Sequence, residues 1–240
     1  MLLDRHTEYS TACLDALNIN GNTREQICIG ATSNDLCEFT NEFQIFIKTP
    51  PPRTRGLMDG FALYQSHYGR LASMHAMAKD QNEPATNTKA ELQAWFDFLN
   101  ELSTGEATIK NAKQIALNNK KMKEMFSGGS LQFEGIVDTE DDTKIRSRSI
   151  GMMLHLIQDS YTTSHCKRNN EGELEKFYWY NAQDSGKHKA HDDVADKHKV
   201  AMLEECTNCL ESVLDKTKYD YTTLLILSRN AANSDGGEFT

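Results

Sequence analysis

The chain has 240 residues, 38% of them apolar and 25% charged, which is enough to bury a sizeable core in one domain. Its formal net charge of −9 argues against a protein that coats duplex nucleic acid, since such a protein would be basic. No run is long and apolar enough to span a bilayer, and the N-terminal M-L-L-D-R-H lacks the pattern of a secretory leader.

Helical periodicity dominates from the start. Tyr9, Ala12, Cys13, Ala16 and Leu17 make an amphipathic stripe just after His6. A polar, Asn- and Gly-containing loop is expected over residues 18–33. Leu36, Phe39, Phe43 and Phe46 suggest a short segment that Pro50, Pro51 and Pro52 break. A helix over 63–79 would carry His67, Leu71 and His75 along one side. After a loop at 82–87, Leu92, Trp95, Phe96, Leu99 and Leu102 predict a strong helix ending before Gly105. Ile109, Ala112, Ile115 and Ala116 continue helically to about Phe126, and 128–143 reads as a polar connection.

Residues 150–167, I-G-M-M-L-H-L-I-Q-D-S-Y-T-T-S-H-C-K, predict a central helix. Ile150, Met153, Leu154, Ile157 and Tyr161 define one apolar face, and Met152 and Leu156 extend it, so the helix belongs in the interior. Residues 169–183 read as irregular and aromatic-rich. A long helix covers about 185–215, a shorter one 221–227, and the tail over 231–240 reads as disordered. With no strand alternation and no repeat, the expectation is an all-α chain: a single multi-helix domain over 1–230 with a buried central helix. Of the six cysteines, Cys206 and Cys209 form a CxxC inside a helical pattern and are read as packing thiols rather than a zinc or redox pair.

On the central helix, His155 and Asp159 lie one turn apart on a shared face, away from the main apolar stripe. A buried carboxylate is costly unless a cation meets it, and a metal ion is the simplest such cation. His165 follows near the helix end. His188 and Asp192 repeat the H-x3-D spacing at the start of the next long helix, giving H-x3-D-x5-H-x22-H-x3-D. Either H-x3-D pair alone would more often be a core histidine or a solvated face. Together with His165 they supply the nitrogen and oxygen donors that zinc accepts.

This pattern resembles the superfamily that joins bacterial zinc-dependent phospholipases C to the fungal single-strand-specific zinc nucleases. The Asp in last place is similar to the nuclease branch. The stretch S-M-H-A-M-A-K-D-Q-N-E-P-A-T-N-T-K-A-E-L-Q-A-W-F-D-F over 73–98 resembles a bacterial metallophospholipase C branch instead. The resemblance spans about residues 4–215 and implies a mostly helical domain holding up to three zinc ions in one cleft. It implies that His155 and Asp159 bind one ion, that Asp159 bridges to a second, and that His165, His188 and Asp192 bind a third. His6 matches the family's N-terminal histidine, and His75 the histidine ahead of the signature, with His67 as a substitute. Asp35 is the candidate for the upstream aspartate, with Asp59 as runner-up. The family's N-terminal tryptophan ligand is replaced by Met1, whose amine is the remaining candidate. His191 and His198 are read as surface or packing histidines.

The expected chemistry is phosphodiester hydrolysis by a water made acidic between metal ions, with Asp35 orienting or deprotonating it and Asp159 holding the ions together. Phe177, Tyr178, Trp179 and Tyr180 are candidates to box a choline by cation–π contact, to stack a nucleobase, or simply to pack. Acidic charge and the 73–98 resemblance favour a phospholipid headgroup met at a membrane surface, with no transmembrane segment, and hence a phospholipase C. Its location is left open between a protein that stays inside, one that leaves by a route needing no leader and one whose leader is not in this sequence, with an exported bacterial enzyme or effector as the suspected case. The alternatives are a zinc nuclease on single strands, and a helical interaction protein whose zinc is structural.

Overall fold

In the computed structural model, residues 3–36, 71–105, 107–126, 141–180 and 185–234 are described. They form, in chain order, α1 (Leu3–Ala16), α2 (Gly21–Leu36), a 3-10 turn (Ala72–His75), α3 (Ala85–Thr104), α4 (Ile109–Asn118), α5 (Lys120–Phe126), α6 (Asp142–Tyr161), β1 (Cys166–Arg168), β2 (Leu174–Tyr178), α7 (Ser185–Ala190), α8 (Asp196–Leu214) and β3 (Leu227–Ser234). The class is predominantly helical but not all-α. β1 pairs antiparallel with β2, and β2 pairs parallel with β3. β3 reads L-S-R-N-A-A-N-S, without a β-branched or aromatic residue. Its strand state comes from pairing with β2 rather than from propensity. It takes in Ala231 to Ser234, which the sequence places in a disordered tail. Residues 235–240 lie outside the described set.

α6 is the axis of the molecule. Asp141 caps it by accepting the Thr143 amide at 3.0 Å. Every residue from Arg148 to Tyr161 is buried. α1, α2, α3, α8, β1 and the 3-10 turn all pack on it. Each fully buried Leu, Ile or Met there contributes roughly 1.5–3 kcal/mol by leaving water.

α2 stands where a loop is expected. It meets α6 backbone to backbone: a Cβ at Gly30 would sit 2.2 Å from the Arg148 carbonyl oxygen, and one at Gly151 would sit 2.1 Å from that of Ile27. Gly30 is therefore a close-approach residue and not a loop signal.

Other boundaries move for local reasons. In place of a helix ending at 79, the described residues 72–75 form a single 3-10 turn, and Ala76 leaves it in the left-handed region at φ 50°. The helix expected over 109–126 restarts at Asn119, whose side chain accepts the amides of Lys121 and Met122 at 3.0 and 3.2 Å. The long helix expected over 185–215 is broken between α7 and α8. There Val194 bridges to Thr162, and Thr163 donates its amide to the Asp193 carbonyl at 3.1 Å, which pulls the link onto the end of α6. In place of a helix at 221–227 there is a turn leading into β3.

Candidate metal centre

α6 presents His155 and Asp159 inward from its last two turns. α1 brings His6, the C-terminal end of α2 brings Asp35, and the 3-10 turn brings His75. α6 ends at Tyr161, so His165 sits in a turn beyond the helix rather than on it; its amide bonds to the Thr162 carbonyl at 3.0 Å. His188 lies on α7, and Asp192 lies just after it in the link to α8. Those two do not share one helix face as their spacing suggests. They meet because the link folds back.

All eight of these residues converge. Their donor atoms fall into three groups: His6, His155 and Asp159; Asp35, His75 and His155; and His165, His188 and Asp192. Donors about 2.0–2.1 Å from a tetrahedral ion stand about 3.3–3.4 Å apart. Here His6 Nε2 is 3.4 Å from Asp159 Oδ1, and His155 Nε2 is 3.1 Å from His75 Nδ1. Asp35 Oδ1 is 3.6 Å from His75 Nδ1, and Asp192 Oδ1 is 3.3 Å from His165 Nε2 and 3.6 Å from His188 Nε2. The groups are joined as well: His155 belongs to two of them, and Asp159 Oδ2 lies 3.4 Å from His165 Nδ1.

The rings are aimed by partners on their far side. His6 Nδ1 donates to Gln158 Oε1 at 2.6 Å, His155 Nδ1 to the Ala31 carbonyl at 2.9 Å, and His165 Nδ1 to the His75 carbonyl at 2.7 Å. Each bond fixes the tautomer that turns Nε2, with its lone pair, toward the cluster. Ser164 donates to Asp192 Oδ1 at 2.9 Å. Gln158 and Ser164 were not singled out in the sequence. Gln158 carried one signal, an amide inside an otherwise apolar buried stretch.

Burial and charge set the electrostatics. His6, His155 and Asp159 have no exposed surface, while Asp35 keeps 14% of its side chain open. Burial opposes ionisation of Asp159, but the His165, His155 and His6 imidazoles outweigh it and hold that carboxyl well below its usual range. Asp35 is likewise lowered against burial by His155, His6 and His75. Burial opposes the charge on His165, yet Asp159 and Asp192 raise it to about 9, and Asp159 and Asp35 raise His155. Burial and His155 lower His6. Buried carboxylates facing imidazoles thus demand positive charge, whether protons or metal.

The donors fit a metal on one further observation. His6 Nε2 and Asp35 Oδ2 are buried, have no hydrogen-bond partner among the described residues, and face each other at 3.5 Å. A cation between them would satisfy both.

Of the other candidates, Met1, Asp59 and His67 lie outside the described residues. Phe177 is fully buried in the main core and offers no surface to a ligand. Tyr178 is buried against Ala72 and Met77. Trp179 and Tyr180 keep some surface, and the Tyr180 ring lies 4.6 Å from that of His188. Cys206 and Cys209 are free, fully buried thiols in the core. Compared with known proteins, the chain matches no family model, no curated protein and no solved structure.

Proposed function

We propose that this protein is a zinc-dependent phosphodiesterase of the phospholipase C kind, hydrolysing the glycerol-side phosphodiester bond of phosphatidylcholine-type lipids. The observation that carries the reading is the joining of three His/Asp groups through His155 and Asp159, which would make any ions held there near neighbours. A donor set of imidazoles and carboxylates without thiolates suits zinc kept open for catalysis. When bound, such ions lower the pKa of a coordinated water to about 7 and neutralise charge on a phosphodiester.

The chain's own residues do the rest. Asp35, the most open of the carboxylates, orients the attacking water and takes its proton. Asp159 keeps His6, His75, His155 and His165 in one arrangement. Tyr180, whose ring lies 4.6 Å from that of His188, receives the headgroup cation by cation–π contact, with Trp179 next to it in the chain as the second candidate ring. The lipid is met at a membrane surface in this reading; no described helix is long and apolar enough to cross a membrane.

The test is metal analysis of the purified chain with parallel turnover of phosphatidylcholine vesicles and single-stranded DNA. Bound zinc with lipid hydrolysis is the expected result. DNA cleavage without lipid hydrolysis would transfer the same centre to the nuclease reading. Zinc with neither activity would make it structural, and a chain that binds no divalent metal would sink the reading altogether.

A further inference from the structure

Behind the turn that carries His165, a cavity of about 260 Å3 opens between β1 and the start of α8. Lys167, Arg168, His191, Lys197 and His198 line it, and among the described residues no aspartate or glutamate does. That composition stands out in a chain of net charge −9.

Arg168 is the unusual member. Its side chain is 7% exposed and lies face-on over the Tyr161 ring at 4.1 Å. Nε donates to the Ser160 carbonyl, Nη1 to the Gly172 carbonyl, and Nη2 to Ser160 Oγ and the Leu224 carbonyl, at 2.6–3.1 Å. Every acceptor is neutral, and one of the five guanidinium hydrogens, on Nη1, is left over. Among the described residues no carboxylate lies within ion-pair distance of it. The nearest charge of opposite sign that acts on it is Glu205, which is not in ion-pair contact and does not offset the burial that lowers the guanidinium; a buried guanidinium is ordinarily paired directly.

Two further features of the same cavity agree. α8 begins at the cavity, which Ala195, Lys197 and His198 line; Ala195 offers no capping side chain, and the one acid of the first turn, Asp196, is turned to solvent and paired with Lys199. Burial, then Lys197 and Arg168, hold the His198 ring below its ordinary value, as a positive field would. Lys167 and Lys197 have only loose partners, Glu175 at 3.3 Å and Asn170 at 3.5 Å, and can turn inward at little cost.

We propose that this cavity is an anion site for a phosphomonoester group, separate from the metal centre. The dianion supplies the direct ion pair that Arg168 does not make with Glu205 and accepts hydrogen bonds from the two lysines. The same chemistry is offered by free phosphate and by a phosphorylated lipid headgroup. The site requires no turnover, so it stands or falls apart from the phosphodiesterase reading.

The experiment is calorimetric titration of inorganic phosphate into the zinc-loaded full chain, with the double variant Lys167→Gln/Lys197→Gln and the remote control Lys218→Gln. Zinc content and far-UV circular dichroism are checked for each. The double variant should lose about tenfold or more in affinity for one phosphate, while the control stays unchanged. Equal affinity in the double variant and the parent would place all bound phosphate at the metals and overturn the proposal. A parallel sedimentation with phosphatidylcholine vesicles, with and without phosphatidic acid, separates the sources. Binding that requires phosphatidic acid and fails in the double variant assigns the site to a lipid headgroup. Phosphate affinity lost without change in sedimentation assigns it to free phosphate.

Discussion

The Asp159 carboxylate lies within 3.4 Å of the His6, His75, His155 and His165 imidazoles, so a single charge organises four rings. Asp159→Asn keeps the shape of the side chain but removes that charge. Hydrolysis should fall by about a thousandfold or more, with metal lost from the groups that share His155 and the helical dichroism retained. Unchanged turnover would falsify the mechanism. Gln158 acts one step further out, since it only aims His6. Gln158→Met should cost about 10–100-fold in metal affinity with much of the per-metal activity kept; competition with a chelator measures it. The protons on the rings give a pH dependence whose sign is set. In the metal-free cluster His165 holds its proton up to about pH 9, and His155 is raised in the same direction. A metal ion must displace those protons, so affinity should weaken as pH falls below about 9 and strengthen toward it. Calorimetry at pH 7.5 in two buffers of different ionisation enthalpy should show net proton release on loading, and no release would contradict the assigned ligands.

At the scale of the element, the crossing of α2 and α6 decides where Asp35 and the Ala31 carbonyl stand relative to His155. Gly30 and Gly151 allow it, because any Cβ there meets backbone and not a movable side-chain tip. Gly151→Ala should therefore destabilise by about 1–3 kcal/mol or more, read as a lower denaturant midpoint. It should weaken metal binding as well, because prising the helices apart draws Asp35 and Ala31 away. A neutral effect on both would show that the crossing does not set the centre. The same crossing shows what could be read in advance. α3 and α6 were legible because their apolar residues recur at helical spacing over several turns. α2 was not, since G-N-T-R-E-Q-I-C-I-G-A-T-S-N-D-L carries a thin apolar stripe and a glycine that mimics loop chemistry. β3 was invisible because its pairing is tertiary. Within the site, His155 and Asp159 were legible from spacing on a single helix. His6, Asp35 and His75 are brought in by separate elements far apart in sequence, so only a family resemblance pointed to them. His188 and Asp192 were found by a spacing whose supposed cause, a common helix face, is absent: a docked link brings them together.

For the whole molecule, the metal centre occupies the place where a continuous core would otherwise close. α1, α2, the 3-10 turn, α6, the turn beyond it, α7 and the link to α8 all end on it. Without metal these segments are held around buried carboxylates and imidazoles that only protons can balance, and Asp192 joins Asp159 in being pulled far below the usual carboxylate range. Ion binding is then part of the folding free energy and not an ornament on a finished scaffold. A ligand present at a hundredfold excess over its Kd stabilises the native state by about 2.7 kcal/mol. For a chain of this length each kcal/mol moves Tm by about 2–4 °C. Chelation should accordingly lower Tm by roughly 5–10 °C for each occupied site, and zinc should restore it. The loss should be larger at neutral pH than at pH 6: the folded, metal-free cluster keeps the His165 proton at both values, whereas the unfolded chain gives it up as pH rises past about 6.5, so that proton stabilises the metal-free fold more at pH 6, where the bound metal is also weakened. Differential scanning calorimetry with and without chelator at the two pH values checks both statements. A Tm that ignores chelation at either pH would mean that the converging imidazoles and carboxylates hold no metal in the folded protein.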